Sequence, residues 1–322
     1  MDKAAFGGHL DILQWLHTNR ADACSPAALE NDAKNGHLEG VKWLVANRTE
    51  GCTARTVGLA AENGHLEVVK YLHAHTSTRG NSPETLRGAV AGHHLDIVQW
   101  LLENRREECA MARGILDLAA RMGHLGVLLC LHAHGLEGCT PSAMDSAASR
   151  GYLEVVQWLH ANRTEGCTTL AMDLAAASGH LAVVQWLHAN RREGCTTSAT
   201  DYAKSVPMLA WLREHRAEGC SPDATLYAAR NGNFAKLLFL RTKYVADFDN
   251  DDLAADTLSN ANSEIFQWLR ANARISAPRL QDDTFTNEWA AKQHVMFAQF
   301  EAGVNRACEE ARQRQRSGTN AM

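Results

Sequence analysis

The sequence predicts an all-α fold in which a pair of short helices repeats along the chain as a solenoid. Three recurring features predict this class: a tryptophan column, a hydroxyl residue at a helix start, and a glycine between two helical segments. A fixed period of roughly 20 to 50 residues is typical of solenoids, whose units pack only against their neighbours. We therefore expect one elongated array rather than several globular domains.

The tryptophan column sets the length of the array. Its members follow one another in steps of 25 to 30 residues, and ten copies account for the chain up to about residue 275. The predicted domains are thus an array at 1–275 and a separate segment at 276–322. The column consists of Trp15, Trp43, Tyr71, Trp100, Cys130, Trp158, Trp186, Trp211, Phe239 and Trp268.

The first helix of each unit has a clear start signal. A hydroxyl side chain at the N-cap accepts a backbone N–H of the first turn, and proline is favoured at the next position. An alanine pair later in the helix, such as Ala175 and Ala176, lets neighbouring helices approach closely. The predicted caps are Ser25, Thr53, Ser82, Thr140, Thr168, Thr196 and Ser221.

A glycine that favours the left-handed conformation ends the first helix. Two copies depart from this pattern: His93 takes the glycine position in the fourth, and Val206 with Pro207 starts the second helix of the eighth. An asparagine then ends the second helix, and we predict that it too is left-handed. The turn glycines are Gly8, Gly36, Gly64, Gly123, Gly151, Gly179 and Gly232, and the asparagines are Asn19, Asn47, Asn104, Asn162 and Asn190.

The second helix should be buried on three sides. At 100° per residue, its apolar positions cover more than half of the circumference and leave a narrow exposed stripe. In the seventh copy this stripe carries Ala182, Gln185 and Ala189. Beyond the array, residues 285–304 keep helical apolar spacing, which predicts a C-terminal helix that caps the last unit. The alternative is a helix that binds another protein.

The cysteines and histidines are explained by the repeat. Packed helices lie about 8 to 10 Å apart, too far for a disulfide between equivalent cysteines of neighbouring units. Histidines recur at the turn and late in the second helix, where we expect the turn rings to bond loop backbone across units. A residue that recurs in every unit does not mark one catalytic or metal site. We expect no catalytic residue, metal or cofactor, and no enzymatic activity.

Charge and hydropathy limit the partners. A net charge of −5 offers no field that attracts nucleic acid, and no apolar run approaches the length of a membrane span. The first residues enter the repeat at once and lack the features of a signal peptide. We expect an intracellular, mainly cytoplasmic protein, with the nucleus left open, that contacts neither nucleic acid nor membrane.

The turn and second helix resemble those of the ankyrin repeat family. The resemblance rests on GHLEGVKWL at 36–44, GHLEVVKYL at 64–72 and MDLAA at 172–176, and it extends over roughly residues 2 to 272. Ankyrin repeats have about 33 residues and include a β-turn finger. Because only eight residues separate Leu187 from Thr196, we expect the finger to be missing or reduced to a tight loop. Tetratricopeptide and HEAT repeats fit the period less well.

The resemblance implies a protein-interaction scaffold without enzymatic activity. The alternative is the substrate-recognition part of a larger enzyme or ubiquitin-ligase adaptor. In such repeats the two residues between the alanine pair and the turn commonly contact the partner, and a merely solvated surface would vary in the same way. The matching positions are Lys34, Asn35, Glu62, Asn63, Arg121, Met122, Ser149, Arg150, Ala177, Ser178, Arg230 and Asn231. The partner is a protein that the sequence does not identify.

The first copy of the repeat lacks a capping turn, since only seven residues precede Gly8. Repeat arrays normally end in a polar unit. We therefore expect apolar surface around Phe6 and Leu13, and association of this end with a partner or with upstream chain.

Overall fold

The computed structural model describes residues 1–19, 25–48, 51–76 and 82–244, together with Ile265. These residues contain nineteen α-helices and no strand, which confirms the all-α class. Apart from Ile265, the tenth copy lies outside the described residues, as does the C-terminal helix predicted at 276–322.

The helices follow one another in pairs, and α9 is an extra turn before the fifth pair. The first six are α1 (Asp2–Phe6), α2 (Leu10–Asn19), α3 (Pro26–Asn35), α4 (Leu38–Asn47), α5 (Ala54–Glu62) and α6 (Leu66–His75). The next seven are α7 (Ser82–Ala91), α8 (Leu95–Asn104), α9 (Arg106–Cys109), α10 (Ile115–Met122), α11 (Leu125–Ala133), α12 (Pro141–Ser149) and α13 (Leu153–Asn162). The remaining six are α14 (Leu170–Ser178), α15 (Leu181–Asn190), α16 (Ser198–Asp201), α17 (Val206–His215), α18 (Asp223–Arg230) and α19 (Phe234–Lys243).

The chain divides into two compact units, each larger than a repeat. The names "first unit" and "second unit" mean these two, whereas "next unit" and "neighbouring units" refer to single helix pairs. The first unit comprises Met1–Ala147 and Tyr152–Cys167, and the second comprises Ala148–Gly151 and the chain from Thr168 onward. In the first unit, α1, α3, α5, α7 and α10 pack in that order as a row of first helices. In the second unit, α14, α16 and α18 form the corresponding row.

Small residues form the contacts of these rows. Ala60, Ala61, Ala119 and Ala120 of the first unit are fully buried, as are Ala175 and Ala176 of the second. Branched aliphatic residues of the second helices fill the other half of the core, for example Val183, Val184 and Leu187 on α15, while Ala182 on the same helix is exposed.

Most first helices start at a hydroxyl cap, as predicted. The hydroxyl oxygen of Ser25 accepts the N–H of Ala27 at 3.2 Å, and Thr53 forms a capping box with Thr56. Thr140, Thr168, Thr196 and Ser221 likewise accept the N–H two residues further on, at 3.1 to 3.2 Å, but the N-caps of α14, α16 and α18 lie one residue later than predicted, at Thr169, Thr197 and Pro222. The prediction is wrong for Ser82, which is the first residue of α7 and donates its hydroxyl to Glu108 at 2.7 Å.

The turn glycines take positive φ at all seven predicted positions, and His93 does so too, with φ 63°. In several units a second requirement explains the glycine. The ring of the turn residue in the next unit lies over it, so a Cβ on Gly36 would meet the His65 ring at 2.5 Å. His37 covers Gly8, His94 covers Gly64, Tyr152 covers Gly123 and His180 covers Gly151 in the same way.

The asparagines at the ends of the second helices are not left-handed, which contradicts the prediction. Each is the last helical residue, and its side-chain amide donates to the backbone oxygen four residues earlier at 2.8 to 2.9 Å. In an α-helix this oxygen also accepts the backbone N–H of the same asparagine, so the amide adds a second hydrogen bond to the last turn. In several units, as at Arg48, Arg163 and Arg191, the chain then leaves in an extended conformation.

The eighth copy is shortened in its first helix, α16, which has four residues. Lys236 of α19 compensates for this: its side chain is 1% exposed, and its Nζ donates to the carbonyls of Asp201 at 2.6 Å and Ala203 at 3.1 Å. Burial lowers the pKa of Lys236 to about 8. As predicted, α17 still begins at Val206 and Pro207, with Ser205 as its cap.

No finger is present between α15 and α16, where residues 191–197 form a loop. Gly194 takes positive φ in this loop, and the guanidinium of Arg191 donates to the carboxylate of Glu193. The expectation of a finger reduced to a loop holds here.

At the first copy, α1 begins at Asp2 without a side-chain cap. The expected apolar surface is only partly where it was placed. Phe6 is 60% exposed, but Leu13 is fully buried because it belongs to the core face of α2, and the other exposed apolar side chains are Ile12 and Trp15.

Candidate functional site

The positions that the sequence assigned to partner binding lie at the C-terminal ends of the first helices. Lys34, Glu62, Asn63 and Arg121 in the first unit and Arg150, Arg230 and Asn231 in the second are exposed. The others are half-buried: Asn35, Met122, Ser149, Ala177 and Ser178. The predicted exposure is therefore only partly met.

Within the first unit the row of packed helices brings some of these positions together. Because α3 and α5 are neighbours, Lys34 and Glu62 end adjacent helices. Arg121 ends α10, which packs against α7. The fourth copy has only Ala91 and Gly92 before its turn, so α7 contributes no polar side chain at these two positions.

Hydrogen bonds between a histidine ring of the next copy and a backbone carbonyl link these helix ends to their neighbours. The ring Nε2 of His65 lies 2.9 Å from the carbonyl oxygen of Lys34, and that of His94 lies 3.0 Å from the carbonyl oxygen of Glu62. The predicted bonding of turn histidines across copies is confirmed at these two positions, but the acceptors lie in the last turn of a helix and not in a loop. The side chains of Lys34 and Glu62 thus project from a rigid edge, which favours specific contacts because little motion must be lost on binding.

A groove runs between α5 and α7 on the same row. It has a volume of about 670 Å³ and contains one of the predicted residues, Glu62. Ligand clefts commonly have volumes of about 300 to 1,000 Å³. The lining consists of Ala54, Arg55, Gly58, Leu59, Glu62, Pro83, Glu84 and Gly88.

A smaller cleft of about 210 Å³ lies at the loop edge of the second and third copies. Leu29, Leu44 and Val45 form its apolar side. Its polar side includes Ser25, which bonds Asp2, and Thr76, which donates to the carbonyl of Leu72 at 2.5 Å. These hydroxyls already have protein partners, so this cleft is the poorer candidate.

The cysteines are mostly inert. Free thiols occur at Cys52, Cys109, Cys130, Cys139, Cys195 and Cys220, and Cys167 is also buried. Burial raises the pKa of Cys109 to about 12 and those of Cys139 and Cys195 to about 11. Since the thiolate is the nucleophile, these side chains are poor candidates for catalysis.

The histidines of the second helices are packing residues. His17, His132 and His188 meet the aromatic ring of the next unit nearly edge-on, with centroid distances of 5.1 to 5.3 Å. Among residues 1–19, 25–48, 51–76 and 82–244, no group of three His, Cys, Asp or Glu side chains is arranged to hold a metal ion. None of the helices that the structure describes is long and apolar enough to cross a membrane.

Sequence reasoning missed a carboxylate that connects neighbouring units. Asp173 accepts both the N–H and the hydroxyl of the next cap, Thr196, at 2.8 Å each. Three other carboxylates accept the same two hydrogen bonds from the next cap: Asp2 from Ser25, Asp117 from Thr140, and Asp201 from Ser221. A sequence signal existed, because Asp117, Asp145, Asp173 and Asp201 recur at intervals of 28 residues.

Comparison with known families gives consistent matches. A family model described as Ankyrin repeats (3 copies) matches residues 1–78 and 29–113. A second model, Ankyrin repeats (many copies), matches residues 144–188. A search of curated proteins returns no significant match to this chain.

Proposed function

Because the chain belongs to the ankyrin repeat family, we propose that it is a non-enzymatic scaffold that binds a protein partner through the exposed ends of its first helices. Ankyrin repeats are generally protein–protein interaction modules. The proposal extends that general role to particular residues of this chain.

One observation supports the proposal: the residues that recur in every repeat build the array, whereas the residues that vary between repeats lie mostly on its surface. The caps, alanine pairs and turn glycines recur and are committed to bonds or packing inside the array. The residues just before the turns change from copy to copy, and all five of the predicted positions with charged side chains are exposed. Conserved architecture with variable exposed chemistry is how a solenoid presents an extended binding surface.

Arginine is enriched among the few residues that dominate binding energy at interfaces. In the first unit, Arg121 is exposed and Met122 beside it is half-buried. In the second unit, Arg150 occupies the position that corresponds to Met122 and is exposed. These three side chains are the anchors that we propose, and each unit is tested separately.

The test is affinity capture from cell extract with quantitative mass spectrometry. Replacing Arg121 and Met122 by alanine should weaken capture of the main partner at least tenfold, a change of about 1.4 kcal/mol. The melting temperature should stay nearly unchanged, since neither side chain is fully buried. Arg150→Ala tests the second unit in the same way.

The matched control is Gln99→Ala with Glu103→Ala, two exposed positions of α8 in the first unit. If the Arg121 and Met122 double variant has a lowered melting temperature, the single variant Arg121→Ala replaces it in the capture experiment. A folded Arg121 and Met122 variant that captures its partner as well as the unchanged protein would refute the proposed anchors in the first unit.

A further inference from the structure

The groove between α5 and α7 is a consequence of two glycines. The backbones approach so closely that a Cβ on Gly88 would lie 2.4 Å from the carbonyl oxygen of Gly58. A Cβ on the buried Gly58 would face α7, where the nearest atoms are the Cγ of Glu84 at 3.6 Å and its carbonyl oxygen at 3.7 Å. The floor is therefore bare backbone, and Leu59 and Pro83 contribute apolar surface to the lining.

The acidic side chains of the groove have no basic partner among the described residues. Glu62 and Glu84 are exposed, line the groove and form no ion pair in the part of the chain that the structure describes. A carboxylate at each end of the glycine floor gives the groove a negative potential.

Two basic residues lie at or near the groove, Arg55 in its lining and Arg87 on α7, and both contact groups outside it. The guanidinium of Arg55 lies 3.5 Å from Glu30 of α3, the helix on the opposite side of α5 from the groove. The guanidinium of Arg87 donates to the carbonyl of Arg113, which precedes α10, the next helix after α7 in the row. Neither arginine forms an ion pair with Glu62 or Glu84, and the two carboxylates outnumber the one guanidinium of the lining.

The spacing of the two carboxylates limits the ligand. Along the groove, the side chain of Glu84 lies beside Gly58. Glu62 follows Gly58 by four residues, which is a rise of about 6 Å along the helix. In an extended peptide, residues i and i+2 point to the same side and lie about 6.6 Å apart. An Arg-Xaa-Arg segment in extended conformation therefore matches the groove in charge and in length.

We propose that the groove between α5 and α7 binds an extended basic segment of a protein partner, with two cationic side chains two residues apart placed against Glu62 and Glu84. The segment lies along the glycine floor, where no side chain blocks its backbone. This inference rests on the proposed binding function and names the partner chemistry of one part of that surface.

The test uses a fluorescein-labelled peptide, Gly-Ala-Arg-Leu-Arg-Ala-Gly, and fluorescence anisotropy with the full chain. The peptide should bind at low salt and weaken as sodium chloride is added, since exposed charges are screened. The charge-reversed peptide Gly-Ala-Glu-Leu-Glu-Ala-Gly should bind at least tenfold more weakly. Equal binding of both peptides, or no binding of the basic one, would overturn the inference.

Two variants locate the site. Glu62→Gln with Glu84→Gln should reduce affinity for the basic peptide at least tenfold. The control, Glu39→Gln with Glu67→Gln, removes the same net charge from α4 and α6 outside the groove and should change affinity less than twofold. An equal loss in both double variants would show non-specific attraction and would refute the site.

A third variant tests the floor without altering charge. Gly58→Ala adds a methyl group that meets no atom closer than 3.6 Å, so the chain should fold, and affinity should fall at least threefold. Unchanged affinity would place the peptide outside the groove. If the peptide fails to bind while the Arg121 and Met122 variant still loses its partner, the groove inference fails and the binding function stands.

Discussion

Asp32 and Gly40 show how two substitutions inside one unit depend on each other. Asp32 takes the place that Ala60 has in the next unit, and Gly40 takes that of Val68. Asp32 is fully buried, and neither carboxylate oxygen has a hydrogen-bond partner among the described residues. A Cβ on Gly40 would lie 2.2 Å from Asp32 Oδ2, so the glycine makes room for the carboxyl group.

This carboxyl group makes the stability of the array depend on pH. Burial raises the pKa of Asp32 to about 7, so the folded state favours the protonated form. The unfolded chain loses this proton near pH 4, and the stabilisation is therefore lost as pH rises from about 4 to about 7. Near neutral pH, most of this loss has already occurred.

We predict that Asp32→Ala with Gly40→Val, which restores the Ala60 and Val68 arrangement, removes this dependence. Between pH 5 and pH 8 the unchanged chain should lose roughly 2 kcal/mol more unfolding free energy than the variant. Urea denaturation at both pH values measures this difference, and the comparison cancels the contribution of the histidines. Gly40→Val alone should be destabilised by its clash with Asp32. Parallel pH profiles would contradict the assignment.

At the scale of helices, close packing of the first-helix rows should limit side-chain size. Ala176 lies on α14 in the row with α16, is fully buried, and its carbonyl oxygen accepts the N–H of Lys204 at 3.1 Å. The exposed Ala182 on α15 has no such restriction.

Ala176→Leu should therefore overpack the core and cost about 1 to 3 kcal/mol. Ala182→Leu should stay within about 0.5 kcal/mol of the unchanged chain. Chemical denaturation of both variants measures the contrast. Equal destabilisation would show that the assignment of buried and exposed helix faces is wrong.

For the molecule as a whole, the features that could be predicted from sequence are those that recur in every repeat. The helix pairs, most hydroxyl caps, the turn glycines and even the positive φ of His93 follow from local rules that act identically in every unit. The prediction of left-handed asparagines failed because each asparagine stays helical and its side-chain amide bonds back to its own helix, which residue identity alone does not reveal.

The features that appear once were the hardest to predict. Lys236 bonds carbonyls more than thirty residues away, and the α5 and α7 groove depends on how two glycines meet across a packed interface. The partner-binding positions Lys34, Glu62 and Arg121 were placed on exposed helix ends by resemblance to a family, and whether they bind stays a prediction. Local sequence rules describe a unit better than the contact between two units.

The placement of each turn ring over the preceding glycine has a consequence for insertion and deletion. A repeat counted from cap to cap, such as residues 25–52, contains both parts of this contact. Its ring, His37, covers Gly8 of the repeat before it, and its glycine, Gly36, is covered by His65 of the repeat after it. Excising 25–52 would place His65 over Gly8 and Thr53 opposite Asp2, and would remove Asp32 and Gly40 together. Such a shortened chain should keep its helical circular dichroism and a cooperative melt, whereas excision of half that stretch should not. Recombination between whole units can therefore change the length of the array without redesigning a single junction.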